Sequence, residues 1–220
     1  MKYFWFLLLP LLMSCAQFST EPVAPDVTPR SLWQERRYEI MSFSNWSLRG
    51  RVTIRFGSRA ENASFFWNGS LEEKEFKLLG PFGDGRLRLY EDAYGAVLQD
   101  ETGQKLIGKS AEELLSTVST WPIPFTQMNY WVRGLPAPGK HGGVALDYAG
   151  RARWFFQDGW KVEYTEYRMF DGVNLPKRII ISSLIDQTSV DQDSFQRDQS
   201  AEFVSVKLSI GSWSYSQKPG

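Results

Sequence analysis

The sequence predicts a mainly β fold: antiparallel strands in a meander that curls into a barrel or an open part of one, with helices laid over it as a lid. Two observations predict it. From Trp46 to Phe56 apolar and polar residues alternate without a break, and shorter strand-like runs follow at even spacing, punctuated by Gly57, Gly69, Gly83, Gly85, Gly95 and Gly103. With 42% hydrophobic and 15% aromatic residues in 220, the chain is also able to bury one sizeable core.

The amino terminus indicates the compartment. Lys2 precedes an apolar run, Tyr3 to Met13, too short to cross roughly 30 Å of hydrocarbon, so residues 1–14 read as a signal peptide. The ending Leu12-Met13-Ser14-Cys15 resembles a lipobox, which would leave Cys15 as an acylated first residue; the alternative is an ordinary cleaved leader. Cys15 is the only Cys, so there is no disulfide to build, and acylation would remove a thiol that is a liability in an oxidising compartment. Ala16 follows in place of the Asp that holds lipoproteins at the inner membrane in enterobacterial families. Residues 15–29 then read as a lipidated terminus and flexible tether, with Glu21, Asp26 and three prolines, and 30–216 as a single domain.

Pro29 and Ser31 open a helix to about Met41, with Leu32, Trp33 and Ile40 on one side and Arg36 interrupting the stripe. In the run that follows, Trp46, Leu48, Gly50, Val52, Ile54 and Phe56 alternate with Ser47, Arg49, Arg51, Thr53 and Arg55, which gives a strand one dry face and one wet face. Shorter strands are expected at 63–68, 75–79, 86–90, 96–99 and 104–107. Ser110 with Glu113 forms a capping box for a helix carrying Leu114, Leu115 and Val118, which Pro122 stops. A second short helix carries Met128, Trp131 and Val132 and ends at Gly134. Both suit a lid over the open sheet.

Around Asp158-Gly159 a three-residue loop, Gln157-Asp158-Gly159, would gather Trp154, Phe156, Trp160, Val162 and Tyr164 on one face, and apolar segregation favours it over a two-residue turn. Strands resume at 177–182 and 203–210, with Trp213 close behind, and the polar, acidic stretch 186–199 reads as a mobile surface insertion.

The chemistry on offer is sparse. Lys plus Arg and Asp plus Glu are equal at 25 each, which does not suggest a nucleic-acid surface. His141, the only His, lies in a loop rich in Gly and Pro, a poor footing for a Ser-His-Asp arrangement or a His-based metal site. Glu72 with Glu73, and Glu112 with Glu113, look like solvated turn and helix-start charges. No Gly-rich phosphate loop with its Lys is present. Neither a metal nor a cofactor is expected. The Asn-x-Ser patterns at Asn45, Asn62 and Asn68 would be glycan sites in a eukaryotic secreted protein and chance matches behind a bacterial lipobox.

An ordered set of motifs spans Leu32 to Trp213: Trp33, Trp46-Ser47-Leu48-Arg49-Gly50-Arg51, Phe66-Trp67, Leu78-Leu79-Gly80-Pro81-Phe82-Gly83, Pro122-Ile123-Pro124, Trp131-Val132-Arg133-Gly134-Leu135-Pro136, Gly159-Trp160-Lys161-Val162-Glu163-Tyr164 and Leu175-Pro176. In this order they resemble the LolB family of outer-membrane lipoproteins. Two departures are the length of 186–199 and Phe82 where Leu is more usual.

The resemblance implies an open antiparallel half-barrel of about eleven strands with a helical lid over a hydrophobic cavity. It implies a monomeric, non-enzymatic receptor on the periplasmic face of the Gram-negative outer membrane, anchored through Cys15. Such a receptor takes the acyl chains of cargo lipoproteins from a LolA-like periplasmic carrier and passes them to outer-membrane phospholipid. Phe82, flanked by Pro81 and Gly83, would enter the membrane. Trp46, Leu48, Val52, Ile54, Trp67, Trp154, Phe156, Trp160 and Tyr164 are the candidate cavity lining, with ordinary core packing as the alternative for each. A lipid-modifying enzyme, a purely structural lipoprotein and a LolA-like carrier are the competing classes.

Overall fold

The computed structural model describes residues 28–70, 72–80, 86–119, 123–183 and 204–217. Helix α1 (Pro29–Met41) leads into six strands: β1 (Phe43–Phe56), β2 (Arg59–Ser70), β3 (Lys74–Leu79), β4 (Leu87–Asp92), β5 (Gly95–Gln99) and β6 (Lys105–Gly108). Helices α2 (Ala111–Val118) and α3 (Phe125–Trp131) come next. They are followed by β7 (Ala145–Leu146), β8 (Ala152–Gln157), β9 (Trp160–Phe170), β10 (Val173–Ser183) and β11 (Val204–Gln217). All the strands join one antiparallel sheet in the order β6-β5-β4-β3-β2-β1-β11-β10-β9-β8-β7. The first strand therefore lies mid-sheet, paired on one side with β2 and on the other with the last strand. The terminal strands β6 and β7 do not pair with each other, so the sheet stays open.

Alternation builds the inner face. Trp46, Leu48 and Val52 of β1, Phe65 and Trp67 of β2, Leu89 of β4, and Val204, Val206, Leu208 and Ile210 of β11 are all buried. Strand β2 begins four residues before the expected 63–68, because Arg59 to Asn62 pair with β1 beyond the core and stay exposed, leaving no apolar pattern to announce them. Strand β11 runs on past 210 through a register shift opposite Arg49 and Gly50, a bulge that breaks the alternation before Trp213. The two-residue strand β7 was not expected. The stretch 186–199 lies outside the described residues.

Helix α1 starts with a reciprocal cap. The Ser31 amide donates to Thr28 Oγ1 at 3.2 Å and the Thr28 amide donates to Ser31 Oγ at 3.1 Å, with Pro29 at the first helical position. Arg36 interrupts the stripe in sequence but not in space: its guanidinium is buried, donates to the Asn174 carbonyl and lies 5.4 Å from the Tyr167 ring centroid. Helix α2 starts at Ser110, whose hydroxyl accepts from the Glu113 amide at 3.2 Å, while Glu113 reaches back to the Lys109 amide at 2.6 Å.

The hairpin between β8 and β9 differs from expectation. Gln157 pairs with Trp160, Phe156 with Lys161 and Trp154 with Glu163, so the loop is the two-residue turn Asp158-Gly159, with φ of 50° and 77°. Two positive φ values fit a primed turn, whose twist matches that of the strands. Inside it, Phe155 is fully buried under Trp131, while Trp154 and Phe156 face outward at 38% and 37% exposure. Gln157 decides this register. Its Oε1 accepts from Trp131 Nε1 and from the Ala137 amide, both at 2.9 Å, and its Nε2 donates to the Ala137 carbonyl at 3.0 Å. A polar side chain so fully satisfied belongs inside, and apolar segregation alone is blind to that.

Gln157→Ala should therefore cost about 3 kcal/mol or more in urea unfolding, taking roughly 1–3 kcal/mol for each buried group left unpaired. A loss below about 1 kcal/mol would mean that water replaces the amide without difficulty.

Candidate functional site

The inner face is filled on one side of the sheet and hollow on the other. On the filled side, Trp160, Val162 and Tyr164 of β9, with Phe155 of β8, pack beneath Trp131 and Val132. The Tyr164 hydroxyl donates to the Trp131 carbonyl at 2.8 Å, and burial pushes its pKa well above the usual phenol value. Leu48 lies in the same continuous core, where burial fixes it as packing.

On the hollow side, a cleft of about 310 Å³ runs between the sheet and the two lid helices. Its floor is Val52, Ile54, Trp67, Phe76, Leu78, Leu87, Val206 and Leu208, and its roof is Leu115, Val118, Ile123, Phe125 and Met128. A second hollow of about 570 Å³ shares Val52, Ile54, Glu61, Leu78 and Leu87 with the first and extends along Ala60, Asn62, Ala63 and Gly80. The path thus leads from beneath the lid to the rim, where β3 ends at Leu79. Glu61, exposed on the inward face of β2, is the charged group that both hollows share.

An aromatic contact sets the lid. Phe125 of α3 stacks on Trp67 with ring centroids 5.0 Å apart and planes 17° apart, and Phe76 meets Trp67 edge-on at 5.1 Å. Trp67 is fully buried, and its Nε1 has no hydrogen-bond partner among the described residues. At the far end Trp46 packs flat on Gly69, where an added Cβ would lie 2.3 Å from its ring. Arg133 covers Trp46 and Tyr130, at 5.6 and 5.1 Å from their centroids, and donates from Nε to the Asn129 carbonyl at 3.0 Å. Burial lowers the pKa of this guanidinium from its ordinary value.

Of the nine lining candidates, Val52, Ile54 and Trp67 stand in the cleft wall, and Trp46, Leu48, Trp160 and Tyr164 are buried beyond it. Trp154 and Phe156 lie on the outer face, because the two-residue turn reverses their side. Cys15, Pro81, Phe82 and Gly83 lie outside the described residues. The sequence reading missed Phe76, Leu78 and Leu87 on short strands, together with Val206 and Leu208. Their alternation was the available signal, but nothing in it separates a wall from a core. His141 is exposed with Nδ1 2.7 Å from the Gly142 carbonyl, and among the described residues no group of three His, Cys, Asp or Glu is placed to hold a metal ion. No helix among them is long and apolar enough to cross a membrane.

The family model described as outer membrane lipoprotein LolB matches residues 44–213, a stretch running from β1 to Trp213 and enclosing the whole cleft. The chain belongs to the LolB family. An outer-membrane lipoprotein LolB of Pseudomonas syringae pv. syringae is 32% identical over 174 residues, covering 79% of this chain and 85% of that protein. The LolB of Nitrosococcus oceani is 30% identical over 176 residues, covering 80% and 88%. Among solved structures, a LolA superfamily protein from Nitrosomonas europaea matches with a TM-score of 0.47 and 10% identity, covering 88% of this chain and 96% of that one.

In this LolB family member Trp67 couples lid to floor, and two substitutions separate its stacking from its N–H. Trp67→Phe removes a buried unpaired donor and keeps a ring against Phe125, so its melting temperature should stay within a few degrees of wild type. Trp67→Ala should lose about 3–5 kcal/mol. Equal losses in thermal denaturation would show that indole volume, not ring stacking, holds the lid.

Proposed function

We propose that this chain accepts the acyl chains of lipoproteins from a LolA-like periplasmic carrier and releases them into the inner leaflet of the outer membrane. The observation that carries the reading is the apolar cleft beneath α2 and α3, which is continuous with a hollow opening at the rim. Each CH₂ moved out of water gains about 0.8 kcal/mol, so a mostly apolar cleft beneath its lid, with Glu61 at the end shared with the rim hollow, suffices to take acyl chains by direct hydrophobic transfer, with no nucleotide. Membership of the LolB family supports the same reading.

Within it, Cys15 carries the lipid anchor, residues 15–27 are the tether, and residues 28–217 act as one monomeric domain on the periplasmic face. Pro81, Phe82 and Gly83 form the membrane-entering tip, on a segment that leaves the rim beside the hollow. Val52, Ile54 and Trp67, joined by Phe76, Leu78, Leu87 and Met128, form the surface that meets the acyl chains.

Depletion in the native host tests the whole: lipoproteins should accumulate on the periplasmic carrier, and unchanged sorting would refute the transfer role. Cys15→Ala should block lipoprotein processing and reduce membrane association; a mature protein of unchanged mass and retention would contradict the anchor.

Phe82→Glu tests the tip. Leaving a Phe in water forfeits about 1.5–3 kcal/mol, which suits a side chain that meets lipid. The Glu variant should accept cargo normally and release it poorly into liposomes, while Phe82→Leu should release it as well as wild type. Normal release by the Glu variant would eliminate this role.

A further inference from the structure

Over much of the sheet's outer face each base has a carboxylate beside it. Glu75 takes Lys77 at 3.0 Å and Arg88 at 2.5 Å, Lys161 meets Glu163 at 2.9 Å, and Glu166 takes Lys177 at 2.6 Å and Arg178 at 3.1 Å. The three adjacent strands β2, β1 and β11 break this rule. Their outward positions hold Arg49, Arg51, Arg55 and Lys207, all exposed, and no Asp or Glu. None of the four bases is in an ion pair among the described residues. Where carboxylates stand elsewhere, the register supplies hydroxyls: Ser209 and Ser64 flank Arg51, Ser205 neighbours Arg55, and Thr53 neighbours Lys207.

This is an unusual concentration of charge in a chain with equal numbers of acidic and basic residues. Bases two residues apart on a strand lie about 7 Å from each other, inside the screening length of roughly 8–10 Å, so the strip repels itself until an anionic surface approaches. The strip also points somewhere. It follows β1 and β11 to the rim that carries the β1–β2 turn, the end of β3 at Leu79 and the mouth of the hollow.

We propose that Arg49, Arg51, Arg55 and Lys207 form a docking face for the phosphates of anionic lipid headgroups, which holds the open rim against the bilayer surface. The inference rests on the membrane-release reading above and adds the surface that orients it. Two features favour headgroups over an acidic protein. The strip is a regular ladder of guanidinium, ammonium and hydroxyl groups across three strands, suited to an array of phosphates. Moreover, twelve residues, 16–27, separate Cys15 from Thr28, a span of at most about 45 Å over the thirteen steps. A domain so tethered stays within reach of the bilayer, where several individually weak charge contacts are enough.

Once Cys15 is acylated the full chain has no free thiol, so a single introduced Cys carries a fluorophore unambiguously. Ala60→Cys places it beside Arg55, and Tyr94→Cys places a control on the turn between β4 and β5 at the opposite rim. The labelled, lipidated protein is inserted into phosphatidylcholine vesicles that carry a headgroup quencher, with or without phosphatidylglycerol. Phosphatidylglycerol should increase quenching several-fold at position 60 and leave position 94 unchanged, and high salt should abolish the increase. Changing Arg49, Arg51, Arg55 and Lys207 to Gln should weaken it by about two- to fivefold per charge, with melting unchanged.

Equal quenching with and without phosphatidylglycerol, or quenching indifferent to salt, overturns the proposal even if the variant is not well folded. Loss of cargo acceptance from the carrier in the absence of vesicles, with lipid docking retained, would assign the strip to the carrier and also overturn it. A wild-type protein that docks on anionic vesicles but accepts no lipoprotein would instead refute the transfer reading and leave the docking face standing.

Discussion

An antiparallel sheet that ends in two unpaired edges has to cover its inner face with something other than itself. Here the edges are β6 and β7, and the cover is the segment that joins them in sequence, the helices α2 and α3 and the turn at Gly134. Its attachment is uneven. Toward β8 and β9 the cover is tied by Gln157 and Tyr164, which hold Trp131 and Ala137 through four buried hydrogen bonds of 2.8–3.0 Å. Toward β1 to β4 it is held by ring contacts among Phe125, Trp67 and Phe76 and by one hydrogen bond, from the Ala111 amide to Glu91 Oε1 at 2.9 Å. Directional bonds resist displacement steeply, whereas stacked rings slide and part gradually. The buried hydrogen bonds of the lid are thus concentrated on its polar side, and the cleft lies under the side where ring contacts predominate.

The side chains beneath follow the same division. Large rings, Trp131, Phe155, Trp160 and Tyr164, fill the space under the tied half. Across the other half the floor is mostly Val52, Ile54, Leu78, Leu87 and Val206, aliphatic chains too short to reach the roof. An unfilled apolar volume forfeits dispersion contacts and lowers stability. The filled half carries this cost through one contiguous core shared by α1, the sheet and the lid. Arg36 and Arg133 belong to that arrangement. Each is a buried cation met by a backbone carbonyl and aromatic faces instead of a carboxylate, which fixes α1 and the end of α3 without placing an acid in the interior.

What the sequence disclosed follows from which interactions are local. Alternation over Trp46 to Phe56, the Pro29 start of α1 and the Ser110 cap of α2 are decided within a few residues and stand in the structure, although Glu113 accepts from the Lys109 amide and so does not complete the expected capping box. The β8–β9 turn was misread because its register is decided by Gln157, whose partners Trp131 and Ala137 lie 26 and 20 residues away. A polar residue placed inside by distant partners leaves no periodic trace, and ranking faces by apolarity then puts Trp154 and Phe156 on the wrong side. The site was legible in the same measure. That an apolar face needed a lid could be read. That Val52 borders a hollow while Leu48, four residues earlier on the same face, lies in packed core could not, since the difference lies in what stands opposite each.

Hydrophobic burial has no direction of its own. A cleft lined by Val, Leu, Ile and Phe binds an alkyl chain by removing it from water, and gives it up to any larger apolar phase that reaches the chain first. Direction must then come from where the mouth is held. In this molecule the mouth, the end of β3 and the base-rich strip of β1 and β11 share one rim, while α1 occupies the opposite end of the sheet. The hollow therefore opens on the side where the outward bases of β1 and β11 have no ion-pair partner among the described residues. The geometry couples two properties that the chemistry of the cleft leaves independent: how tightly an acyl chain is held, and which phase it meets on leaving.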